Sequence, residues 1–304
     1  MIKEDQLSWD QFNKNSNLSL INLPIKSEPF NRLILHTNNF FVIAGYGAFN
    51  PGYVMLVSKK LIPSFANINR EKLDEFTWLK NFLDKILTEV FDDTSNLIFE
   101  HGMCACLGGL DRAHLHFLSC KNINKKNLLN AINLSLSRRR TGIKSCTFEG
   151  IKYNNIEDID SLIFNIDDEN KIAFEGYQYK FEDIKTDYKT EEYPLNLKPL
   201  IKTGNPYIFF ESKINEYSFI TLEHIDTQFG REVSFNVQYY DNEQIKIFMK
   251  ENNIELNKDY KFFWRWQDFY FEKNILETIK KLAIHINKNY KKDYFNEYNL
   301  RSFD

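Results

Sequence analysis

The chain contains six histidines, at His36, His101, His114, His116, His224 and His285. Two of them stand two residues apart in Asp111-Arg112-Ala113-His114-Leu115-His116-Phe117-Leu118. Apolar residues at 113, 115 and 117 alternate with polar ones at 112, 114 and 116, which is the period of a β-strand. On such a strand Arg112, His114 and His116 share one face, with neighbours about 6.6 Å apart. A row of polar groups on an otherwise apolar strand points to a site, because each buried polar group without a partner costs about 1–3 kcal/mol. Imidazole can act as nucleophile, as general acid or base, or as metal ligand. Arginine stays charged and can clamp a phosphate.

The residues before this run widen the candidate site. Glu100, His101, Cys104, Cys106, Gly108 and Gly109 fall in a segment read as a loop over residues 100–112. A glycine pair lets backbone N–H groups approach phosphate oxygens closely. His101, Cys104 and Cys106 beside a His-x-His pair also suggest zinc. Against zinc, Cys-x-Cys is tighter than the usual Cys-x2-Cys spacing and no second pair exists, so neither a metal nor any other cofactor enters the assignment.

Positioning these groups requires a sheet. Residues 40–44 and 53–57 are short apolar runs separated by the turn-rich 45–52 segment, which predicts a hairpin buried on nearly both faces. Residues 70–91 lack Gly and Pro and place Leu73, Phe76, Leu79, Leu83, Ile86, Leu87 and Val90 at steps of three and four, with Asn69 as cap. This predicts an amphipathic helix. Strands over 97–99 and 113–118 bracket the 100–112 loop, and a second helix follows over 125–136. Strands are expected at 206–210 and 217–222, and helices near 242–251 and 271–289. The fold class is α+β, with strands and helices segregated. We assign residues 1–29 to a peripheral N-terminal arm, 30–146 to the domain carrying the site, and 147–304 to an α+β extension packed on it.

Composition narrows the function classes. The 304 residues are 43% hydrophobic and 27% charged, ordinary for a globular protein and too apolar for disorder. A formal charge of −3 argues against a dedicated nucleic-acid surface, which needs clustered Lys and Arg. The dense basic run Arg138-Arg139-Arg140 reads as a solvated helix end. No apolar stretch approaches the ~20 residues of a membrane span. The first residues lack the basic and apolar regions of a signal peptide, and the 4 cysteines suit a reducing compartment. The expectation is a cytoplasmic protein without membrane contact.

The run at 112–118 resembles the signature of the histidine-triad superfamily, in which histidines alternate with apolar residues and two apolar residues close the motif. Arg112, His114 and His116 fill the three histidine slots, and Phe117 and Leu118 fill the apolar pair. Leu97-Ile98-Phe99-Glu100-His101-Gly102 resembles the strand and turn preceding the triad in many members. Asn50-Pro51-Gly52-Tyr53 through Ser58-Lys59-Lys60, followed by Pro63-Ser64, resembles the family's Pro-Gly-His strand and its Lys-rich, Ser-containing exit, with Tyr53 in the histidine's place. Further on, Asp226-Thr227-Gln228-Phe229-Gly230-Arg231-Glu232 and Trp264-Arg265-Trp266-Gln267 are similar to the Ser-Gln-x-x-Arg and Trp-Asp-Trp-Arg segments of longer bacterial members.

The resemblance implies an antiparallel sheet with a long amphipathic helix, and an enzyme acting on a nucleotide conjugate at a phosphoanhydride, phosphoramidate or phosphoester bond. His114 takes the place of the family's central nucleophilic histidine. Its attack on the α-phosphorus gives a covalent nucleotidyl-histidine and splits one hard displacement into two easier ones. Arg112 and His116 complete the catalytic set, with His116 binding the phosphate or protonating the leaving group. Glu100, His101, Gly108, Gly109, Lys59, Gln228 and Arg231 are the candidate substrate-binding residues, while His224 and His285 are read as structural. Two other readings stay open: a catalytically weak nucleotide-binding or scaffold protein, and a zinc-dependent hydrolase. Family members often form dimers by sheet extension, so a homodimer is a possible partner state.

Overall fold

The computed structural model describes residues 32–60, 62, 64–91, 95–102, 113–121, 123–137, 143–153, 173–176, 182–184, 207–212, 217–221, 229–239, 242–251 and 271–290. Arg112, Gly108, Gly109, Gln228, His224, Cys104, Cys106, the Trp264–Gln267 segment, the arginine run at 138–140 and the 1–29 arm lie outside them. The strands are β1 (Leu33–His36), β2 (Phe40–Ala44), β3 (Tyr53–Ser58), β4 (Ser95–Gly102), β5 (His114–Cys120), β6 (Ile143–Phe148), β7 (Ile151–Tyr153), β8 (Ala173–Gly176), β9 (Glu182–Ile184), β10 (Tyr207–Ser212) and β11 (Tyr217–Thr221). The helices are α1 (Leu73–Val90), α2 (Lys125–Ser137), α3 (Phe229–Gln238), α4 (Asn242–Glu251) and α5 (Glu272–Asn289). The fold is α+β. None of these helices is long and apolar enough to cross a membrane.

Among the described residues, eight strands form one antiparallel sheet in the order β1-β2-β3-β5-β4-β10-β11-β9, and β7-β6-β8 form a smaller one. The predicted hairpin is the β2–β3 pair, with Phe40 opposite Ser58 and Ala44 opposite Val54. Both strands are almost wholly buried, which explains why they read as continuous apolar runs rather than alternating ones. The second half of the chain enters the same sheet: β10 pairs along β4, with Phe210 opposite Phe99 and Tyr207 opposite Gly102.

Helix α1 covers one face of this sheet. Phe76 packs edge-on to Phe40 at 6.0 Å and lies 4.5 Å from Phe65, and Leu79, Leu83, Ile86 and Leu87 are fully buried. Each such side chain contributes about 1.5–3 kcal/mol by leaving water. Two polar links fix the helix on the strands. Lys80 forms a buried ion pair with Glu211 of β10, and Asn96 of β4 donates to the Asp84 backbone and carboxylate at 2.9 Å. Helix α5 packs against α1, through Tyr290 on Phe82 at 5.3 Å and His285 against Glu89 at 2.8 Å.

Two sequence expectations need correction, and two elements had no sequence expectation. Residues 33–36, inside the 30–146 domain but named as no element there, form the buried strand β1, because Leu33, Ile34 and Leu35 find apolar cover that local composition does not reveal. Glu100, His101 and Gly102 belong to β4 and not to a loop, since β10 supplies hydrogen-bond partners for the extended backbone. Asn69 precedes a 3-10 turn at Arg70–Lys72 rather than capping α1, and its side chain makes no cap hydrogen bond. Residues 229–238 form helix α3, for which the sequence analysis named no element.

Candidate active site

Strand alternation and register decide which side chains meet. Phe99 pairs with His116 across β4 and β5, and Met55 pairs with His116 across β3 and β5. Directly opposed residues share a face, so His114, His116, Phe99, His101 and Tyr53 all project from the side of the sheet opposite α1. On that face the ring centroids of His114 and His116 are 4.9 Å apart at 70°, and those of His101 and His116 are 6.3 Å apart at 73°. Phe99 stacks on His116 at 4.3 Å with an interplanar angle of 8°. The three histidines are buried, His114 being the most accessible at 8%.

Helix α3 closes the cluster from above. Gly230 in its first turn sits so near the sheet that a Cβ would come within 2.3 Å of the Phe99 ring and 2.9 Å of His101 Nε2. The Gly230 N–H donates to His101 Nε2 at 3.2 Å. That nitrogen is therefore an acceptor, and the His101 proton sits on Nδ1 in the neutral tautomer. Arg231, the next residue, extends its guanidinium to the Tyr46 and Gly47 carbonyls in the β2–β3 turn, and its Cζ lies 5.4 Å from the Tyr53 ring centroid. Asn274 of α5 donates to the Ala48 and Phe49 carbonyls at 2.8 and 3.0 Å, and Gly52 N donates to Thr278 Oγ1 at 2.8 Å. The turn beside the cluster is thus held by residues distant in sequence.

Electrostatics follow from this packing. Burial pushes His116 well below the usual histidine value, and His114, His101 and the Arg231 charge push it the same way. His116 is neutral at physiological pH. It can hydrogen-bond through either nitrogen, but it is a poor source of a proton for a leaving group.

The structure brings His101, His114, His116 and Arg231 together. It separates two other expected substrate contacts from them. Glu100 alternates with Phe99 and His101 and faces the α1 side, where its carboxylate accepts from the Phe65 N–H at 2.7 Å and the Tyr207 hydroxyl at 2.6 Å. This carboxylate secures the scaffold. Lys59 lies at the β1 side of the sheet, donating to the Thr37 carbonyl and to His36 Nδ1 at 3.3 Å over the Phe41 ring. Burial lowers its amine to about 8. Among the described residues no three His, Cys, Asp or Glu side chains are grouped to hold a metal ion.

Two members of the cluster escaped the sequence reading as site residues. Tyr53, whose hydroxyl is 2.7 Å from His116 Nδ1, stood out only as the replacement for a histidine in the Pro-Gly-His resemblance; that slot was the available signal. Phe99 carried no signal beyond its place in an apolar strand. A scan of protein-family models and a search of curated proteins find no match to this chain.

Proposed function

We propose that the chain is a histidine-triad-type enzyme that hydrolyses or transfers the nucleotidyl group of a nucleotide conjugate through a nucleotidyl-histidine on His114. The observation that carries this reading is the cluster itself: three buried imidazoles, His101, His114 and His116, on one face of an antiparallel sheet. A buried neutral imidazole is a competent nucleophile for phosphorus. In the first step the His114 nitrogen bonds to the α-phosphorus while the bond to the leaving group breaks, the electron pair departing with that group. In the second, water or an acceptor hydroxyl attacks the phosphorus, the P–N bond breaks and imidazole is regenerated.

His116 and His101 supply hydrogen bonds in this reading rather than protons. Arg112, two residues before the nucleophile, offsets charge developing on the phosphate oxygens, and the Gly108-Gly109 backbone cradles them. The uncharged state of His116 favours leaving groups that depart as stable anions, as in a phosphoanhydride. Turnover of a panel of nucleoside phosphoanhydrides, phosphoramidates and phosphoesters tests the reading. It expects release of a nucleoside monophosphate or its transfer to an acceptor, fastest for the anhydrides, and a loss of about 10⁴-fold or more in His114→Ala. No turnover of any member contradicts it.

A further inference from the structure

The turn that leads into β3 is gripped along its length by side chains from the far end of the chain. Arg231 of α3 donates to the Tyr46 and Gly47 carbonyls. Asn274 of α5 donates to the next two, those of Ala48 and Phe49, at 2.8 and 3.0 Å, and the Tyr239 hydroxyl donates to the Asn50 side chain. Thr278 of α5 closes the series. Its hydroxyl donates to the Asn274 carbonyl one helical turn back at 2.7 Å, a local bond that orients the oxygen, and that oxygen accepts from the Gly52 N–H at 2.8 Å. Asn274 and Thr278 stand four residues apart, so they share one face of α5.

Gly52 turns this grip into an aim. Its φ of 91° lies in the left-handed region, which glycine adopts freely and other residues adopt under strain. A Cβ there would also come within 2.6 Å of Ser119 Oγ. The Gly52 carbonyl accepts from the Ser119 N–H at 3.4 Å. With its N–H held by α5 and its carbonyl by β5, Gly52 fixes the direction in which the next residue leaves the turn. That residue is Tyr53, whose hydroxyl lies 2.7 Å from His116 Nδ1.

We propose that Asn274 and Thr278 are positioning residues for the histidine cluster: acting through the 45–52 turn, they fix where Tyr53 meets His116. This role accounts for a polar residue at a fully buried place. Thr278 lies among Ile275, Ile279, Leu282 and Ile286 on the inner face of α5, where valine would fill the same volume but offer Gly52 no acceptor. Two residues of α5 thus reach the site without touching a histidine. Their hold on Tyr53 is a property of the folded chain; its effect on turnover rests on the function proposed above, because a reacting group displaced by about 1 Å can lose up to ~100-fold in rate.

Imidazole 1H–15N spectra of the 15N-labelled full chain, with His116 identified by its loss in His116→Gln, read the contact without substrate. Thr278→Val should move the His116 ring signals, and Thr278→Ser, which keeps the hydroxyl, should restore them. Ile286→Val trims the same buried face of α5 two turns further along and should leave them in place. With a nucleoside phosphoanhydride that the unaltered chain turns over, Thr278→Val should lower kcat by about tenfold or more while KM holds. The proposal is overturned by His116 signals that stay put in a folded Thr278→Val, that move as far in Ile286→Val, or that Thr278→Ser fails to restore. Should Thr278→Val not fold, Asn274→Ala, at a half-buried position, decides in its place: moved signals support the proposal and unmoved signals overturn it. The expected pattern in a chain that turns over no nucleotide conjugate would refute the proposed function and leave the positioning role standing.

Discussion

The Tyr53 hydroxyl lies 2.7 Å from His116 Nδ1, joining the first residue of β3 to the middle of β5 on the face that α1 leaves uncovered. The contact depends on a backbone detail, the absence of a side chain at Gly45. In Gly45→Ala the new Cβ would overlap the phenol ring, and relief requires Tyr53 to swing away from His116. We expect a loss of about 1–3 kcal/mol of stability from the overpacking and a fall in turnover as the Tyr53–His116 contact is lost. Urea unfolding and steady-state assays on the same preparation check both; a Gly45→Ala protein with unaltered stability and activity would contradict this account of the turn.

The Lys80–Glu211 pair is buried at both ends, at 4% and 0% exposure, and ties α1 to β10. Removing one partner leaves a charge in a low-dielectric interior, so Lys80→Met should destabilise the protein by about 3–5 kcal/mol. The double variant Lys80→Met with Glu211→Leu should recover most of that loss, because an apolar pair of similar volume carries no desolvation penalty. Denaturant midpoints for the two single variants and the double variant make the comparison. A double variant no more stable than Lys80→Met would show that the cross-link between the halves requires the ion pair itself.

Stability should fall as the solution is acidified from neutrality. Burial, helped by the Lys59 charge, lowers His36 to about 4 in the folded chain against an ordinary 6.5, and His116 is depressed in the same direction. Between these values the unfolded chain binds protons that the folded chain refuses, so the stability present above pH 6.5 is lost as pH drops toward 4. His36 alone accounts for about 1–2 kcal/mol between pH 7 and pH 5. Asp84, raised by burial, acts in the opposite sense at the acid end, where its folded carboxyl takes up a proton first. Unfolding midpoints across this range should decline and the decline should be shallower in His36→Gln; a flat profile would contradict the neutral burial of these imidazoles.

Much of this architecture was legible in the sequence where one short segment carried its own signal. The alternation at 112–118 put His114 and His116 on one face, and the Gly- and Pro-free 70–91 stretch announced α1. The parts that were hidden share a cause. Helix α3 buries Arg231, Glu232, Ser234 and Asn236 along with its apolar residues, so no polar stripe betrays a 3.6-residue period. His101 lies on a strand rather than in a loop because β10, more than a hundred residues later, pairs with that backbone, and such pairing leaves no local trace. Tyr53 was visible as a substitution in a motif, but its contact with His116 appears only once β3 is paired with β5.

The central claim, that His114 is a nucleophile for phosphorus, is tested most directly by trapping the intermediate. Intact-protein mass spectrometry after rapid quench at high pH, with a slowly turned-over nucleotide conjugate and peptide mapping, should show one nucleoside monophosphate per chain on His114. The P–N bond should survive base and break in acid, and the adduct should be missing in His114→Ala. Turnover without an adduct under any quench, or an adduct mapped to His116 or His101, would contradict the account.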